Sequence, residues 1–210
     1  MDEHSSAEWS AEHRRAARRL LPYLEKCGWL QSRLSGASVT RDGKPIPWIT
    51  YPALALLEQR VTPEMDVFEF GSGNSTLWWA SRVRSVRAVE HDEKWARRVK
   101  AHLPANASVT HVPLEPGGVY ATMASRAERA FHIVVVDGRD RVNCAMSSVG
   151  ALRPDGVLLW DNSERSRYAG GLRELAKCGF RQLDLQGLAP IGIQATQTSI
   201  LYRDGNCFGI

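Results

Sequence analysis

Asp66-Val67-Phe68-Glu69-Phe70-Gly71-Ser72-Gly73-Asn74-Ser75-Thr76 decides how this chain is read. A short apolar strand carries Glu69 at its end, turns through Gly71 and Gly73, and enters Leu77-Trp78-Trp79-Ala80, which reads as a helix. The two glycines let the backbone pass close to a ligand, and the helix that follows offers unpaired N–H groups. Glu69 narrows the choice of ligand. A pyrophosphate would be repelled by its carboxylate, whereas a cationic amino-acid group would not. Thr76 also stands where a dinucleotide-binding turn places its third small residue.

Outward from this turn the chain alternates strand and helix. Strands are predicted at 67–70, 85–89, 108–112, 131–136, 156–160, 180–185 and 197–203. Helices are predicted near 75–82, 92–102, 118–129, 142–152 and 167–178. His132-Ile133-Val134-Val135-Val136 has the apolar, β-branched character of a strand buried on both faces. Arg153-Pro154-Asp155-Gly156 reads as a turn into the next strand. Such alternation implies a doubly wound α/β sheet, mostly parallel, with right-handed crossovers. The last two strands are joined by 186–195 without a helix and should pair antiparallel. Ligands bind beyond the C-terminal strand ends of such sheets.

Residues 1–60 read as a helix-and-loop cap belonging to the same domain as the core, 61–210. Within the cap, 6–27 has helical apolar spacing, with Ser5-Ser6-Ala7-Glu8 as a capping box. A loop over 32–52 turns at Asp42-Gly43, and a short helix follows over Ala53–Arg60. Trp48 and Tyr51 either close over a substrate or pack the N-terminal helix onto the core. Trp78 and Trp79 read as core.

The 210 residues suffice for one full core, and 43% hydrophobic with 24% charged residues is ordinary for a globular protein. No apolar run approaches the roughly 20 residues of a membrane span, and the N-terminus lacks a signal-peptide core. Cys27, Cys144, Cys178 and Cys207 form no C-x-x-C pair, so a reduced, cytoplasmic setting is expected. The net charge of +4 raises nucleic-acid binding. Its densest cluster, Arg14, Arg15, Arg18 and Arg19, reads instead as a solvated helix face. Neither a nucleic-acid nor a membrane partner is expected.

The E-x-G-x-G form of Glu69-Phe70-Gly71-Ser72-Gly73, with Glu90 ending the second strand, resembles the class I S-adenosylmethionine-dependent methyltransferases. The resemblance implies a seven-stranded Rossmann-like sheet with the last strand antiparallel. It places S-adenosyl-L-methionine over the glycine turn, with Glu69, Gly71, Gly73, Asn74 and Ser75 around its methionine part. Glu90 would then take the ribose hydroxyls and His91 would lie against the adenine. Asp92 fits a helix cap better than a cofactor ligand. The acceptor is expected to be a small molecule methylated on oxygen. Asn/Asp-Pro-Pro-Tyr, the nitrogen-methylation signature, is absent, and Asp137-Gly138-Arg139-Asp140 stands in its place.

Asp137 after the fourth strand and Asp161-Asn162 after the fifth are similar to the magnesium-binding positions of the catechol and caffeoyl-CoA type O-methyltransferases. Three oxygen side chains on neighbouring strand ends would make half an octahedron. Asp137 and Asp161 are therefore the catalytic candidates, and Asp137, Asp161 and Asn162 the candidate Mg2+ ligands. Those families place a lysine three residues after the first Asp, where this chain has Asp140. Without a metal, Asp137 is the first candidate base, with His111 and His132 behind it. Arg139, Arg141, Arg165 and Arg167 would ring the same strand ends and receive an anionic acceptor, or pair with Asp140 and Glu164. A homodimer is compatible with all of this.

Overall fold

The strand predicted from His132-Ile133-Val134-Val135-Val136 lies at the middle of the sheet. In the computed structural model, which describes residues 10–210, this is β4 (Phe131–Val136). It is flanked by β1 (Asp66–Phe70) and β5 (Leu152–Asp161), both parallel to it. Beyond β1 lie β2 (Ser85–Glu90) and β3 (Ala107–His111), also parallel. Beyond β5 lies β7 (Thr196–Tyr202), antiparallel to β5, and then β6 (Arg181–Gly187) on the edge. The order β3-β2-β1-β4-β5-β7-β6 gives six strands running in one direction, with β7 alone reversed and pairing antiparallel to both β5 and β6. The last strand is the antiparallel one, as the resemblance implied: β7 is inserted between β5 and β6, and β6, reversed twice, runs in the direction of β5.

The winding reverses between β1 and β4, so their C-terminal ends open the crevice where such sheets bind ligands. Helices α4 (Asn74–Ala80), α5 (Glu93–Lys100), α7 (Arg141–Ser148) and α8 (Ala169–Lys177) join strands β1 to β6. Between β3 and β4 the predicted helix over 118–129 is only one turn, α6 (Val119–Thr122), followed by a 3-10 turn at Ala124–Arg126.

Two layers of side chains sandwich the sheet. One contains Val67, Ile133, Leu159, Trp78 and Trp79 together with Ile46, Ile49 and Leu57 from the N-terminal segment. The cap and the core thus share one hydrophobic cluster. The other layer contains Phe68, Phe70, Val134, Val136, Trp160 and Tyr120. Trp78 and Trp79 are buried as expected, as is Phe208 from the C-terminal tail.

The N-terminal segment departs from its reading. α1 (Ala11–Lys26) starts at Ser10, whose hydroxyl accepts the His13 N–H, and the expected capping box at Ser5–Glu8 lies outside the described residues. No residue of α1 is buried, although its apolar spacing predicted a packed face. Arg14, Arg15, Arg18 and Arg19 are exposed, as a solvated face should be. A second helix, α2 (Trp29–Ser35), replaces the start of the predicted loop. Helix α3 (Tyr51–Arg60) begins at Thr50, whose side chain accepts from the Ala53 N–H and donates to the Leu185 carbonyl. Thr50 therefore ties the segment before α3 to the β6 end of the sheet.

Candidate active site

At the switch point the backbones of β1 and β4 come together too closely for side chains. Gly71 has φ +96°, and a Cβ there would lie 3.2 Å from the Gly138 Cα. A Cβ on Gly138 would lie 2.9 Å from the Gly71 nitrogen and overlap the Tyr120 hydroxyl. The two glycines hold the strand ends edge to edge, which opens space above them.

That space is a cavity of about 630 Å³ bounded by Glu69, Gly71, Ser75, Glu90, His91 and Trp95. Its size suits a nucleoside-sized ligand. Glu90 is 4% exposed. Its Oε1 accepts the backbone N–H groups of His91 (2.8 Å) and Asp92 (3.0 Å), while Oε2 accepts from the Ser72 hydroxyl at 3.1 Å. The backbone bonds fix the carboxylate, and the rotatable Ser72 hydroxyl stands where a sugar hydroxyl would donate. His91 lies against Tyr120, its ring nitrogen 2.7 Å from Glu90 Oε1 at an angle that makes no hydrogen bond. Asp92 caps α5 by accepting the Trp95 N–H, as anticipated.

Glu69, 1% exposed, reaches the cavity floor. Thr76 donates its hydroxyl to Glu69 Oε2 at 2.5 Å and accepts the Gly73 N–H at 3.0 Å. Burial pushes the Glu69 carboxyl up to about 7, against hydrogen bonds from Ser75 and Thr76 that favour its charged form. A cationic ligand group above it would restore the charge. Asn74 departs from expectation. Its amide donates to the Ser38 carbonyl at 2.8 Å, tying the preceding loop to α4, and the side chain does not bound the cavity.

A second cavity, about 670 Å³, adjoins the first and shares Trp48, Asp137, Arg141, Asn162 and Arg165 with it. Its far wall is the segment between β6 and β7, including Gly192–Ala195. Ile46 and Ile49 are buried anchors, and Trp48 between them is 50% exposed over both cavities. Tyr51 instead packs into the core. His132 is at the opposite end of β4 and accepts the Asp66 N–H, so it is no base for this site. His111, exposed at the end of β3, bounds neither cavity.

Asp137, Asp161 and Asn162 do converge, as the sequence suggested, but a side chain already stands among them. Arg141, 9% exposed, donates from Nη2 to Asp137 Oδ1 at 2.9 Å. Its Nη1 lies 3.4 Å from Asn162 Oδ1 and 3.7 Å from Asp161 Oδ2. A guanidinium in this position excludes a divalent ion, so the expected magnesium set does not fit. Among the described residues there is no other group of three or more His, Cys, Asp or Glu side chains able to hold one. Asp161 is further committed to the Thr198 hydroxyl, and Asn162 donates to Thr196 rather than capping a helix. Burial raises the Asp137 and Asp161 carboxyls, each made harder to ionise by a neighbouring acid, while Arg141 opposes the rise.

Of the four arginines expected to ring the site, Arg141 turns inward, Arg167 donates to the Tyr168 hydroxyl, and Arg139 is exposed at the border of the first cavity. Arg165 is exposed and borders both cavities with no hydrogen bond from its side chain. Asp140 accepts from Gly117 and Asn143, and Glu164 from Thr196 and Gln197, so neither pairs with these arginines. Sequence reasoning missed Trp95, whose indole N–H holds the Ser72 carbonyl at 2.8 Å beside the first cavity. It also missed the inward course of Arg141 between the ends of β4 and β5.

No protein-family model matches the sequence, and neither does any curated protein. Solved structures do match. A methyltransferase-like protein from Silicibacter pomeroyi is 22% identical with a TM-score of 0.52, covering 75% of this chain and 89% of its own. A putative methyltransferase from Streptococcus mutans in complex with SAH gives 13% and 0.54, covering 73% and 99%. An rRNA methylase from Streptococcus thermophilus gives 13% and 0.53, covering 75% and 100%. The fold is that of the S-adenosylmethionine-dependent methyltransferases. Because an rRNA methylase shares it, this methyltransferase fold leaves open whether the acceptor is a small molecule or a nucleic acid. No helix of the described residues is long and apolar enough to cross a membrane.

Proposed function

We propose that the protein is an S-adenosylmethionine-dependent methyltransferase acting on an oxygen of a small, anionic acceptor without a metal ion. The supporting observation is that two cavities meet at Asp137, one with Glu90 and the glycine turn, the other with Trp48 and Arg165. When bound, the cofactor supplies an electrophilic methyl carbon whose bond to sulfur breaks as the acceptor oxygen attacks. Glu90 accepts the ribose hydroxyls, Glu69 faces the ammonium group, and His91 and Trp95 flank the adenosine. Asp137 takes the proton from the acceptor hydroxyl, and its upward shift brings its basicity nearer neutrality, where a general base is most effective. Trp48 excludes water from the junction, and Arg165 meets the acceptor's anionic group. Holding nucleophile and methyl carbon in line supplies much of the acceleration.

Transfer of labelled methyl groups tests this across small alcohols and phenols bearing carboxylate or phosphate, their uncharged analogues, and RNA. The acidic small molecules should be labelled, and D137N should lose about 100-fold or more in kcat while still binding S-adenosylhomocysteine. Label entering RNA alone would refute the acceptor class. Full activity in D137N would remove Asp137 as the base.

A further inference from the structure

Arg141 is held by more than its two carboxylate neighbours. Nε donates to the Gly138 carbonyl at 3.0 Å, and Nη2 donates to the Asp137 carbonyl at 3.0 Å as well as to its side chain. Nη1 donates to the Asp161 carbonyl and is directed at Asn162 Oδ1. A guanidinium has five N–H groups, and these five contacts use them all. The side chain comes from the first residue of α7 and ends between the C-terminal ends of β4 and β5. It lies in the space bounded by Asp137, Asp161 and Asn162.

The geometry points to Arg141 as an intramolecular substitute for a divalent cation. It is a positioning residue that joins the two strand ends, aims Asp137 at the junction of the cavities, and keeps metal out of a ligand set that would otherwise accept one. Its donors are all spent, so it has none for an acceptor, and recognition of an anionic group falls to Arg165. A second consequence concerns substrates. An acceptor whose binding depends on chelation through two adjacent oxygens has no open coordination positions here. The catalytic side of this inference rests on Asp137 being the base, whereas the exclusion of metal does not.

The test is titration of the full-length protein with Mn2+, read by thermal midpoint and by the electron spin resonance of free Mn2+. Wild type should show neither saturable binding nor a shift. R141A, which removes the guanidinium and leaves the three oxygen ligands, should bind Mn2+ and gain thermal stability from it, and R141A/D161N should lose both effects. A merely structural arginine would destabilise on removal without creating a metal site. Saturable Mn2+ binding by wild type that D161N abolishes would overturn the inference, and so would a folded R141A indifferent to Mn2+. If R141A does not fold, the wild-type titration and its D161N control decide alone. S-adenosylhomocysteine binding by the same wild-type preparation separates this outcome from the enzyme reading, since either can fail without the other.

Discussion

Glu69 is a carboxylate kept in the wrong place for its charge until a ligand arrives. Burial raises it from an ordinary 4.5 to about 7, so the folded chain holds this proton more tightly than the unfolded chain. The resulting stabilisation is complete below the unfolded value and is lost as pH rises through the folded one. Roughly 3 kcal/mol is at stake over that range. Asp137 and Asp161 are shifted in the same direction and add to the effect. Denaturant midpoints measured from about pH 5 to about pH 8 should therefore fall for wild type. E69Q should fall less steeply and be the more stable protein at the alkaline end. Parallel curves for the two proteins would show that Glu69 is not the strained group. Glu69 and Glu90 were legible because each ends a strand beside a glycine turn or a helix cap. The role of Arg141 was not, because an arginine after a strand is usually solvated and its inward course depends on tertiary packing.

At the scale of elements, the parallel strands were readable from continuous β-branched runs, which only a strand covered on both faces can bury. The start of β5 was not. Arg153-Pro154-Asp155-Gly156 carries turn residues, yet the chain continues through them as strand, with a register shift against β4 between Phe131 and Ile133. A Cβ on Gly156 would sit 3.0 Å from the Phe131 carbonyl, so this glycine marks an irregular close approach rather than a turn. α1 shows the reverse error. Its apolar spacing is real, but Leu20 (60%) and Tyr23 (60%) are exposed, and its main neighbour is α2. Deleting residues 1–24 should therefore move the thermal midpoint by less than about 2 °C. A fall of about 5 °C or more would mean that α1 supports the core.

For the whole molecule, the strand order places the groups that bound the two cavities at one end of one sheet. β1 and β2 supply Glu69 and Glu90, β4 leads into Asp137, β5 ends in Asp161, and the segment between β6 and β7 closes the far side. The cap contributes Trp48 above the junction, which depends on long-range packing of Ile46, Ile49 and Thr50 and had only an ambiguous signal in the sequence. The central claim is an adenosyl ligand whose sugar is held by Glu90. Calorimetric titration with S-adenosylhomocysteine tests it most directly, run on wild type and E90A in two buffers of different ionisation enthalpy near neutral pH. Wild type should bind one equivalent and release protons as the ligand ammonium restores the charge on Glu69. E90A should bind about 10- to 100-fold more weakly, as expected for losing hydrogen bonds to a charged group. Undiminished affinity in a folded E90A, or no binding by wild type, would contradict the account.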